Sequence, residues 1–158
     1  MKTPLILKVP LDLNYLLIAI RSKLDDYQFA YFLNKSPFFF FKRRESDVPS
    51  IINKKKIYFS TFEDLNNELK RTSFLISNNS IYEDEVNNSM NLFNNKSIFN
   101  TAFLIPELKE FDYFIKLVGV WKKQELIELK KHLQQMKCIE SETDIDLKTL
   151  RSIDNLVF

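Results

Sequence analysis

Only one glycine, Gly119, occurs among the 158 residues, and that scarcity restricts both the turns the chain can make and the chemistry it can host. A phosphate-cradling P-loop, a dinucleotide fingerprint and a nucleophile elbow each need several glycines, for tight turns and close backbone approach. Nucleotide enzymes of those types are therefore excluded. The chain spends its apolar residues on rings instead: 15 Phe and 6 Tyr bury large areas and predict an aromatic core. With 45% apolar and 28% charged residues, it has the make-up of a soluble globular protein, and its length suits one domain over residues 1–158.

Charge and cysteine usage narrow the partners. A net charge of +2 is too small by itself to favour nucleic acid or an anionic membrane, so local clusters must carry that case. The lone Cys138 sits in no CxxC and has no second cysteine to pair with. No disulfide framework or zinc knuckle is expected, and a reducing cytoplasm fits. The opening apolar run, Leu5-Ile6-Leu7, is too short for a secretory leader. No apolar run approaches the roughly 20 residues of a membrane span, so a cytoplasmic location without membrane attachment is the expectation.

Periodicity predicts a mainly antiparallel α+β fold with helices packed on one face of a sheet. Residues 11–20 begin by alternating and end fully apolar, as a strand entering a covered sheet does. Ser22 and Asp25 suggest a capping box for a helix from about 23 to 35. The four phenylalanines 38–41 predict a strand, residues 46–56 a loop, and residues 57–62 and 72–76 two strands with a helical turn between them. Residues 77–100, mostly Asn, Ser and acidic, predict a mobile insertion; a functional loop or a partial helix near 83–93 are the alternatives. Strands at 101–105 and 111–118 flank an interruption at Pro106. The clearest amphipathic helix covers 121–137, an edge strand covers 138–146, and Asp146 can cap a last short helix over 147–152.

The interruption is the most informative stretch. Asp112 lies among Phe111, Tyr113 and Phe114, and a buried carboxylate costs several kcal/mol unless it is hydrogen bonded or paired. Its expected partners are backbone N–H groups freed at Pro106, or an arginine such as Arg43, Arg71 or Arg151. Glu107 and Asp112 would stand roughly 16–18 Å apart in an extended chain, so only a turn can unite them. Glu110 and Asp112 would share a strand face at roughly 7 Å, a spacing open to a paired-acid site.

The residues Ile105-Pro106-Glu107, Phe111-Asp112-Tyr113, Asp26-Tyr27, Leu33-Asn34 and Ser152-xx-Asn155-Leu156-xx-Phe158 resemble the IPExxxVDY family of small bacterial proteins. Phe111 stands where the family motif has valine, a change between two strand-compatible apolar residues. The resemblance implies a bacterial protein of about this length with no assigned activity to carry over, and it makes Ile105, Pro106, Glu107, Asp112 and Tyr113 a structural or binding motif.

Two other clusters invite a function. Lys42-Arg43-Arg44 and Lys54-Lys55-Lys56 flank aromatic strands, a pattern that can combine phosphate contacts with base stacking on RNA. Glu140, Glu142, Asp144 and Asp146 alternate along the edge strand and could attract a cation, although such a row more commonly protects an edge from pairing. His132, the only histidine, falls about 240° from Cys138 on an ideal helix, a poor nucleophile–base pair. No cofactor or metal is expected. The leading expectation is a non-enzymatic protein-interaction module with an unidentified protein partner, ahead of an RNA-associated accessory protein and a carboxylate-based enzyme. The oligomeric state is open.

Overall fold

The computed structural model describes residues 14–85 and 97–158. β1 (Tyr15–Arg21) runs through the core as its apolar sequence requires, with Leu17, Ile18, Ala19 and Ile20 all buried. It leads into α1 (Asp26–Asn34), where Gln28 Oε1 accepts the Asp25 N–H at 3.3 Å. The cap therefore begins at Asp25 instead of Ser22. Ser22 serves the chain differently, its hydroxyl donating to Cys138 O at 2.7 Å and accepting from Leu24 N–H at 3.3 Å.

The phenylalanine run 38–41 is not a strand. Pairing is confined to β2 (Lys42–Arg43), because side chains take up the backbone groups before it. Asn34 Oδ1 accepts the Phe41 N–H at 2.7 Å, Asn34 Nδ2 donates to Phe41 O at 2.9 Å, and Asp64 accepts the Phe40 N–H. Phe39 and Phe41 stack inward with centroids 4.7 Å apart.

The expected loop at 46–56 is a hairpin of β3 (Val48–Ile52) and β4 (Lys55–Phe59). Asn53 and Lys54 turn it with φ of 50° and 64°, the pair of left-handed residues that matches the twist of a two-residue hairpin. Of the three lysines 54–56, Lys54 lies in this turn, and Lys55 and Lys56 open β4. Residues 57–62 break at Ser60, where the chain passes from the hairpin into β5 (Thr61–Asn66). Asp47 Oδ1 accepts the Thr61 N–H at this corner, and the Thr61 hydroxyl accepts the Val48 N–H. β5 occupies the start of the stretch read as a helical turn, and β6 (Arg71–Ser77) follows.

Within 77–100, the two ends of the stretch pair as β7 (Asn79–Glu85) and β8 (Ser97–Phe103), in register from Asn79 opposite Phe103 to Glu85 opposite Ser97. Residues 86–96, including most of the helix alternative, lie outside the described residues. Pro106–Leu108 forms a 3-10 turn with proline at its start, where the missing N–H is harmless. β9 (Tyr113–Gly119), α2 (Lys123–Gln135) and β10 (Ser141–Asp144) complete the regular elements, followed by 3-10 turns at Leu147–Thr149 and Ile153–Leu156.

Six strands form one antiparallel sheet in the order β10-β1-β9-β6-β5-β2, and β3–β4 and β7–β8 form two further pairs. This is the expected α+β arrangement. Both α-helices pack on one face: Phe29, Ala30 and Leu33 of α1 and Leu129 and Leu133 of α2 meet Ile18, Ile20, Leu75, Ile115 and Leu117. The opposite face is covered by Val48, Ile57, Phe59, Leu104 and Ile105 and by the C-terminal Leu150, Ile153 and Leu156. Lys116, on that face of β9, is nonetheless buried; its Nζ donates to Leu156 O at 2.8 Å and lies 4.3 Å from the Phe158 ring centroid.

The acidic row on the edge strand closes against its neighbours. Lys23 meets Glu140 at 3.5 Å, Gln134 donates to Glu142 at 2.9 Å, and Lys130 pairs with Asp144. Asp146 accepts the Lys148 N–H. Polar residues of α2 thereby shield an edge that could otherwise pair with another chain.

Candidate functional site

The Ile105–Tyr113 motif folds as a clasp around one buried asparagine. Asn78, fully buried at the end of β6, donates from Nδ2 to Leu108 O and Phe111 O, both at 2.9 Å, and accepts the Ile105 N–H on Oδ1 at 2.9 Å. Its own backbone donates to Asp112 O and accepts from Leu104 N–H. The interruption leaves backbone groups without strand partners, and Asn78 takes three of them with its side chain.

The motif carboxylates hold separate parts of the fold. Asp112 Oδ2 accepts the Ser22 N–H at 2.9 Å, and Asp112 N–H donates to Ile20 O, so the acid ties the entry of β9 to the exit of β1. The arginines considered as its partners are engaged elsewhere or exposed: Arg43 with Asp47, Arg71 with Glu125, and Arg151 at the surface. Glu107 accepts the Ser152 N–H at 2.7 Å and the Ser152 hydroxyl at 2.9 Å, anchoring the C-terminal turns. Residues 110–112 precede β9, so the strand face on which Glu110 and Asp112 were to pair is not formed. Tyr113 packs on Phe29 with centroids 4.8 Å apart and donates to Leu24 O. Burial, with Asp26, Asp112 and Asp25 nearby, pushes its phenol well above the ordinary range.

Partial burial pushes the Glu107 carboxyl up, but the Ser152 hydrogen bonds outweigh it and hold the group below the usual range. Between the lowered folded value and the unfolded value near 4.5, the native state binds fewer protons than the unfolded chain, so stability rises with pH there. The stabilisation is complete above the unfolded value and is lost as pH falls through the folded one. Glu107→Gln is therefore expected to flatten the acid limb of stability below about pH 4.5, measured by urea titrations at stepped pH. An unchanged acid limb would show that the contact carries no proton linkage.

Half of the candidate RNA cations are neutralised by neighbours. Arg43 pairs with Asp47 at 2.8 Å, Arg44 with Glu63 at 3.7 Å and Lys55 with Asp84 at 2.8 Å. Lys42, Lys54 and Lys56 are exposed, and Lys56 lies 5.7 Å from the Tyr58 ring centroid.

An open apolar feature lies between the helices. α1 is apolar nearly all round: Phe29, Ala30 and Leu33 face the core, while Tyr27 (63% exposed), Tyr31 (59%) and Phe32 (39%) face outward. A helix that is apolar on every side is ordinarily covered on every side. Beside this face lies a groove of about 550 Å³ lined by Leu24, Phe32, Lys35, His132, Met136, Lys137 and Cys138. The only histidine and the only cysteine thus share one depression. Burial pushes the Cys138 thiol up, partly offset by a backbone hydrogen bond, the opposite of an activated nucleophile. Apart from His132 and Cys138, sequence reasoning passed over these residues. The signal that could have found them was the helical repeat of aromatics on both sides of α1.

Fold and surface define an antiparallel α+β protein with an outward aromatic helix. Among the described residues no three His, Cys, Asp or Glu side chains are grouped to hold a metal, and no helix is long and apolar enough to cross a membrane. No family model, curated protein or solved structure matches the chain.

Proposed function

We propose that this is a non-enzymatic, cytoplasmic protein-interaction module of the IPExxxVDY kind, with the outward face of α1 and the adjoining groove as its contact surface. The observation that carries the reading is the exposure of Tyr27, Tyr31 and Phe32 together on one helix, since contiguous exposed apolar surface marks interaction sites and tyrosine is favoured at binding hot spots. The motif carboxylates support it indirectly: Glu107 and Asp112 each hold a backbone amide, which weighs against the carboxylate-enzyme reading. The RNA reading is the weaker alternative, because phosphates must compete with Asp47, Glu63 and Asp84 for three of the six cations.

Affinity purification from an extract of the producing organism, with and without nuclease, tests this with wild-type protein and a Tyr27→Ser/Tyr31→Ser variant. The variant should keep its stability within about 1 kcal/mol, as exposed substitutions do, and lose a nuclease-resistant partner by roughly 30-fold, the loss of about 2 kcal/mol expected of a hot spot. Equal recovery by both proteins overturns the assignment of the surface. Recovery abolished by nuclease favours RNA.

A further inference from the structure

We infer that the groove between α1 and α2 receives an acidic amphipathic segment of a partner protein, with an apolar side chain on Leu24, Phe32 and Met136 and carboxylates on Lys35 and Lys137. This rests on the protein-interaction reading and adds the chemistry of the partner.

The groove's volume of about 550 Å³ falls within the range of sites that enclose a ligand group. Its floor is apolar, and its ionisable rim is one-sided: Lys35, Lys137 and His132 line it and no carboxylate does. Some cations elsewhere on the described surface pair with acids, as in Lys23–Glu140, Arg43–Asp47, Lys55–Asp84 and Lys130–Asp144, and others, such as Lys42, Lys54 and Lys56, do not; what sets Lys35 and Lys137 apart is the apolar floor between them. Lys35 and Lys137 are exposed and make no ion pair with a described residue. The Lys35 ammonium lies 4.8 Å from the Tyr31 ring centroid and 5.1 Å from that of Phe32, at the border between the aromatic face and the groove. An apolar floor with a cationic rim complements apolar anchors interleaved with acids and repels a basic segment. Two helices bounding the depression suit a third helix laid along it. The outer edge of β10, shielded by Lys130 and Gln134 of α2, offers no comparable seat.

Selection from a displayed library of random peptides about four helical turns long, on the immobilised full chain, provides the test. Enriched peptides should carry Leu or aromatic anchors at helical spacing with net negative charge. A selected peptide should bind the Lys35→Glu/Lys137→Glu variant at least about tenfold more weakly, a loss of about 1.4 kcal/mol, and should weaken as salt rises. Both lysines are exposed, so an unchanged melting curve will show that the variant folds. Met136→Trp, which fills the groove, should also block binding. Enrichment of neutral or basic peptides, or equal binding by the charge-reversed variant, overturns the acidic partner and leaves the interaction surface standing. Peptides that bind despite Met136→Trp overturn the groove as their seat. If no peptide is enriched while dodecanoate binds and is blocked by Met136→Trp, the groove is a site for small anionic amphiphiles and the inference falls. If nothing binds and Tyr27→Ser/Tyr31→Ser leaves partner recovery unchanged, both readings fall.

Discussion

Replacing Asn78 by alanine is expected to destabilise the fold by about 3–5 kcal/mol, more than any substitution at the motif's own carboxylates. The amide side chain makes three hydrogen bonds at 2.9 Å to the backbone of residues 105, 108 and 111. Alanine leaves all three groups without that partner. Ile105 N–H suffers most, since Ile105 is fully buried, and each unsatisfied buried group costs about 1–3 kcal/mol. Leu108 O loses less, because it also accepts from Phe111 N–H. For a chain of this size the sum corresponds to a fall in Tm of roughly 10–15 °C. Asp112→Asn should lower stability by only about 1 kcal/mol, because an amide oxygen can still accept the Ser22 N–H and only the charge-assisted part is lost. Urea denaturation of the two variants provides the comparison. A cost below 1 kcal/mol for Asn78→Ala would mean that the clasp is held by its apolar residues alone.

Gly119→Ala should cost about 2–4 kcal/mol although it adds one methyl group at an exposed position. The residue has φ of 102°, and a Cβ there would stand 2.4 Å from Lys70 O and 2.8 Å from Arg71 Cα. Both are backbone atoms, one in the turn before β6 and one at the strand's first residue, so no side-chain rotation relieves the contact, and the dihedral itself is strained for an L-residue. Displacing Arg71 has a further effect. Its guanidinium lies 3.9 Å from the Trp121 ring centroid and donates to Glu125 at 2.8 Å, linking β6 to the start of α2. Trp121 is the only tryptophan, so its fluorescence reports on this junction directly. A lower denaturation midpoint together with shifted native emission is expected. Unchanged values for both would sink the claim that the glycine is required there.

Much of the architecture was legible where one period ran uninterrupted. β1, α1, β6, β9 and α2 each appear near their expected places, because their inward residues repeat at the spacing that strands or helices impose. Errors fell where side chains replaced a regular ladder or where polar composition hid one. The phenylalanines 38–41 had strand propensity, but Asn34 and Asp64 captured their backbone groups. The β3–β4 hairpin was hidden by its lysines, with Asn53-Lys54 making a turn more often marked by glycine. Asn78 was lost in an asparagine-rich run, and no local pattern distinguishes a buried asparagine from an exposed one.

By itself the sequence determined the α+β class, the exclusion of glycine-built nucleotide sites, and the need for a specific partner at Asp112, because periodicity, turn chemistry and the cost of burying charge are properties of neighbouring residues. Tertiary structure decided what lies far apart in the chain. Ser22 was brought to Asp112, Asn78 to the Ile105–Phe111 turn, Ser152 to Glu107, and α1 beside α2 with Lys35 and Lys137 on one rim. Each of these pairings depends on sheet order and helix placement, which are set by how the whole core packs and are written in no single segment.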